Sequence, residues 1–151
     1  MKLRFTGGII FTGLAFMTAV LMIGDWHFLG MYFDPASFIM AIFVPHVLIS
    51  FMTPPSEQKK MIHEILTKEE GKEKILKKSL SYLNTLKQMI ICSSFAAMIL
   101  GVIGIMANLT DTSIIGPNMA VALIVMFYAA LYILVVIEPL RLTAEKKLAD
   151  Q

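Results

Sequence analysis

Few side chains in this 151-residue chain could do chemistry inside its apolar segments. They are His46, Cys92, Tyr128 and Tyr132, with Glu138 at the cytoplasmic edge of the last apolar run. An imidazole in that setting could relay protons, because histidine changes charge near neutral pH. Pro45 beside it frees a helix carbonyl, and bonding by His46 or Ser50 is the structural alternative. Glu138 stands three positions before Arg141, which puts both on one helical face as an ion pair or leaves the carboxylate as a gating acid. Mid-membrane Asp, Glu and Lys are absent, whereas proton-coupled transporters keep one near the membrane centre. If ions cross here, another chain must bring the acid. The single Cys92 excludes an intrachain disulfide and reads as a small apolar filler. Dinucleotide, phosphate-loop, zinc-protease and nucleophile-elbow signatures are all missing, so the sequence implies neither an enzyme nor a cofactor nor a metal.

The elements that hold these residues are membrane spans. The composition is 57% hydrophobic and 16% charged with mean hydropathy +0.74, well outside the range of soluble domains. Residues 118–137 carry no formal charge, about the length a helix needs to cross the hydrocarbon. Gly116 closes a polar loop before this run, Pro117 suits the first helical turn, and Pro139 follows it. The predicted fold is an all-α integral membrane protein with four transmembrane helices, at about 5–24, 36–53, 88–107 and 117–138. Residues 54–87 form a short charged helical segment. Pro54-Pro55 ends span two, and Met61, Ile62, Ile65 and Leu66 mark an amphipathic helix. Thr67-Lys68-Glu69-Glu70 has the pattern of a capping box before Gly71. No proline interrupts residues 72–108, so span three extends as one helix beyond the membrane, and span four does the same after Pro139. All thirteen Lys and Arg lie in residues 1–4, 59–87 or 141–147. The positive-inside rule then places both termini and the central segment in the cytoplasm. Trp26 and Tyr32 fall where aromatic residues favour the membrane interface.

Two faces could support assembly. Ser94, Ala97, Gly101, Gly104 and Asn108 form a small-residue stripe on span three, suited to close helix packing within the chain or around a shared oligomer interior. On span four, Met119, Met126, Ala130, Ile133 and Ile137 share one face, and Asn118, Ala122, Val125, Ala129 and Tyr132 another.

The run Asn108-Leu109-x-Asp111-x-x-Ile114-Ile115-Gly116-Pro117-x-Met119-Ala120-Val121-Ala122-Leu123, then Phe127-Tyr128, then Pro139-Leu140 and Leu142, resembles the last two spans of MotA. MotA is the flagellar stator subunit of the MotA/TolQ/ExbB proton-channel family. The lead-in Phe33-Asp34-Pro35-Ala36-Ser37 to span two is similar to that family as well. The resemblance implies a homopentamer in the bacterial inner membrane. It would surround the single-span helices of two copies of a MotB/TolR/ExbD-like partner that carries the essential Asp. It further implies that spans three and four line the pore or contact the partner, through Ser94, Ala97, Gly101, Gly104, Met119, Met126, Ala129, Ala130 and Ile133. Pro117, Glu138 and Pro139 become helix-end or gating candidates. Ion flow past the partner's Asp would drive rotation. The sequence departs from the family where Ser94 replaces a proline, Met126 and Gly101 replace threonines, and Ala129 replaces a glycine. Its cytoplasmic segment is also shorter than in flagellar stators, with Lys68, Glu69, Glu70, Lys72 and Glu73 as candidate contact charges. A non-conducting scaffold of the same shape and an unrelated four-span transporter are the alternatives. The implied partners are protein and lipid, with no nucleic acid.

Overall fold

The computed structural model describes residues 7, 10–15, 17–18, 22, 33–67, 72–107, 109, 113 and 115–150. The loop residues Asp25, Trp26, His27, Tyr32, Asn108 and Asp111 lie outside the described set, as do Lys68, Glu69, Glu70, Gly71 and most of the expected first span. Regular structure among the described residues is entirely helical. Residues 10–15 and 17–18 of the first apolar run are in helix. Four further helices follow: α1 (Pro35–Met52), α2 (Pro55–Leu66), α3 (Glu73–Ala107) and α4 (Ile115–Ala149). Three of them, α1, α3 and α4, are long and apolar enough to cross a membrane.

Local chemistry sets the boundaries. The Asp34 carboxylate caps α1 by accepting from the Ser37 N–H at 2.8 Å, with Pro35 in the first turn. Thr53 leaves the helix in an extended conformation, and Pro55 starts α2 as a first-turn proline. Thr67 ends α2, and its hydroxyl donates back to the His63 carbonyl at 2.7 Å; the remainder of the expected capping box, residues 68–70, lies outside the described residues. With 35 residues each, α3 and α4 are about 52 Å long at ~1.5 Å per residue. A hydrocarbon core is about 30 Å thick, so each helix has some 20 Å to spare.

Two helices pass through a proline without stopping. In α1 the turn Ile39–Phe43 widens to a π-helix before Pro45, and in α4 the turn Ile133–Ile137 does so before Pro139. The cause is the same in both. A proline has no N–H for the carbonyl four residues back, here Ala41 or Val135, and its ring presses on that carbonyl. The widened turn relieves this, and the residue before each proline bonds five residues back: Val44 N–H to the Ile39 carbonyl, Glu138 N–H to that of Ile133.

The largest apolar core lies at the basic end of the bundle. Ile49 of α1, Met61 and Ile65 of α2, Leu76, Leu83, Leu86 and Ile90 of α3, and Ile137, Leu140 and Ala144 of α4 are buried together there. Beyond it α3 and α4 run on as a close antiparallel pair, and α1 lies across both.

Candidate functional site

Three polar side chains of the apolar segments, His46, Tyr128 and Tyr132, lie where α1 meets α4. His46 follows the widened turn of α1, and Tyr132 precedes the widened turn of α4. The His46 Nδ1 lies 2.8 Å from the Ile42 carbonyl, and its Nε2 lies 2.9 Å from the Tyr132 hydroxyl. A carbonyl can only accept, so Nδ1 carries the proton and donates; Nε2 then accepts from the phenol. The rings meet edge to face with centroids 5.4 Å apart. The ring therefore takes the carbonyl next to the one that faces Pro45. Ser50 turns its hydroxyl onto the His46 carbonyl at 2.7 Å.

This pair has polar neighbours towards both ends. One turn earlier on α4, the Tyr128 hydroxyl accepts from the Asp34 N–H at 3.0 Å, and Ser37 donates to the Val121 carbonyl at 3.4 Å. Towards the basic end, Gln58 of α2 donates to Ser50 Oγ and to the Thr53 carbonyl, and its own oxygen accepts from the Tyr82 hydroxyl at 3.0 Å. Burial pushes the Tyr82 phenol above its ordinary range, so it acts as a neutral donor.

A layer of charge closes the apolar segments at that end. Glu138 accepts from Lys87 at 2.5 Å and lies 3.5 Å from Arg141, which also reaches Glu145 at 3.0 Å. The expected neighbour Arg141 is thus present, but Lys87 is closer. Further along α4, Lys147 donates to the carbonyls of Glu64 and Thr67, satisfying groups that the end of α2 leaves open.

The small-residue stripe meets α4 at one clear point. A Cβ added to Gly101 would sit 2.8 Å from the Ala122 Cβ, so the two backbones touch there within one chain. Ser94 is fully buried, and its hydroxyl has no hydrogen-bond partner among the described residues. Ala97 and Gly104 are half-buried. On α4, Ala129 is buried, Met126, Ile133 and Pro139 are half-buried, and Met119, Ala130 and Pro117 are exposed. The candidate residues therefore divide: Gly101, Ser94 and Ala129 face the chain's own interior, while Met119 and Ala130 face outward. Cys92 is exposed on α3.

Sequence reasoning named His46 and Tyr132 but did not pair them. It missed Lys87, although a signal existed. Lys87 is the last charge before the apolar run of α3 and Glu138 the first after that of α4, so antiparallel packing brings them to one level. Among the described residues, no group of three or more His, Cys, Asp or Glu side chains could hold a metal ion. No protein-family model matches the chain, and neither a curated protein nor a solved structure is significantly similar to it.

Proposed function

We propose that the chain is a ring-forming subunit of an ion-driven rotary motor in the bacterial inner membrane, resembling MotA, TolQ and ExbB. It has four spans, with both termini and the basic end of the bundle in the cytoplasm. The ring encloses the transmembrane helices of a MotB/TolR/ExbD-like partner, whose Asp carries the ion. The observation that carries this reading is the run Ile115-Gly116-Pro117 to Leu123 followed by Pro139-Leu140, on a helix that continues past its apolar segment. The charge distribution supports the orientation. The missing intramembrane carboxylate fits a division of labour in which the partner supplies it.

Ion flux into liposomes containing the chain and an Asp-bearing single-span partner tests the proposal. Flux that needs both proteins and is lost when that Asp becomes Asn supports it. Flux from the chain alone points instead to a small four-span transporter. A non-conducting scaffold is the second reading, and Gly101 favours it. The family's threonine hydroxyl is absent there, and contact with Ala122 leaves no room for a side chain. An intact ring with partner bound and no flux selects that reading.

A further inference from the structure

We propose that the His46–Tyr132 hydrogen bond is a protonation-controlled latch joining the two widened turns of α1 and α4. It ties the residue that follows Pro45, three positions past one turn, to the residue just before the other turn, so a shift at either proline-linked joint is felt by its counterpart. With the ring neutral, both nitrogens are satisfied: Nδ1–H donates to Ile42 and Nε2 accepts from Tyr132. Protonation reverses the second bond. Nε2 becomes a donor, the phenol can only accept from it, and the phenol proton needs another acceptor.

Among the described residues, the surroundings offer the resulting cation no counter-charge. Helix α1 has no other ionisable side chain between Pro35 and Met52. Helix α4 contributes Tyr132 and Tyr128, and its first carboxylate beyond Asn118, Glu138, is engaged by Lys87 and Arg141. From α3 come Tyr82, whose hydroxyl is committed to Gln58, the exposed Cys92, and Lys87 in its ion pair. Helix α2 approaches with Gln58, while its Glu57 pairs with Lys78. A shallow recess formed with Phe43, Val47, Ser50 and Phe51 leaves the ring partly open. The latch is therefore closed when His46 is neutral and weakened when it is charged, whether or not the chain belongs to a motor.

The test uses the full chain in nanodiscs with 15N-labelled histidine. At about pH 8 the His46 signals should show a single tautomer protonated on Nδ1, and Tyr132→Phe should convert this to a mixture. A wild-type ring protonated on Nε2, or one indifferent to Tyr132→Phe, overturns the proposal. The Tyr132 ring gives the second readout: acidification that protonates His46 should move the Tyr132 signals in the wild type and leave them in place in His46→Gln. Identical responses of the Tyr132 ring in the two proteins overturn the latch.

Discussion

The two ends of the bundle are held together differently. At the basic end, α2 and the extensions of α3 and α4 bury large aliphatic side chains around Leu76, Leu83 and Ile65, sealed by ion pairs and by Lys147 on the end of α2. Along the apolar segments Ile105, Ile124 and Val125 are buried too, but the close contacts are made by small residues, Gly101 on Ala122 and the buried Ala41, and by a few polar bonds such as His46 to Tyr132. The solvent explains the contrast. Water drives aliphatic side chains together, whereas lipid tails are as apolar as leucine and leave close packing and hydrogen bonds as the associating forces. The basic end therefore acts as a clamp, and the apolar segments as a looser pair of helices with built-in joints.

Substitutions can break that comparison. The largest loss is expected from Leu83→Ala, which empties a site only 1% exposed and should cost about 2–5 kcal/mol. The matching Leu100→Ala, at 62% exposure in the apolar segment, should leave the melting temperature nearly unchanged. Equal losses at both positions would refute the distinction. Next comes Gly101→Val, which drives a side chain into Ala122 and should cost about 1–3 kcal/mol. Adding Ala122→Gly should recover part of it, and failure to do so would mean that α3 and α4 do not touch there.

Smaller effects sharpen the picture. Lys87→Met removes the closer partner of Glu138 and should cost about 1–2 kcal/mol at neutral pH. The ion pair needs the carboxylate charged, so the stability gap between wild type and Lys87→Met should close as acid protonates Glu138, and a gap that persists would assign Lys87 a packing role instead. Lys77→Ala should do nothing measurable, because it and its partner Glu73 are both exposed on the same helix. A salt-dependent loss at Lys77 would show that the exposed charges matter more than this account allows.

Much of the fold was legible along the chain because its signals are local. Pro54-Pro55 stops α1, the unbroken run after Lys72 becomes the long α3, and α4 carries on past Pro139. The site was less legible, because its chemistry depends on which faces meet. Periodicity put Tyr132 on one face with Ala122 and Ala129, but nothing local says that α1 lies over that face with His46 in reach. The extra residue in each π-turn also rotates everything beyond it, which a regular helical period cannot anticipate. Gly101 shows the same limit: a small-residue stripe announces close contact without saying with which helix.

Native mass spectrometry of the detergent-solubilised chain, alone and co-expressed with an Asp-bearing single-span candidate partner, tests the central proposal most directly. The motor reading predicts a five-copy ring that takes up two partner chains. A monomer or dimer that binds no partner would contradict it, leaving a clamped bundle of apolar helices with some other task in the membrane.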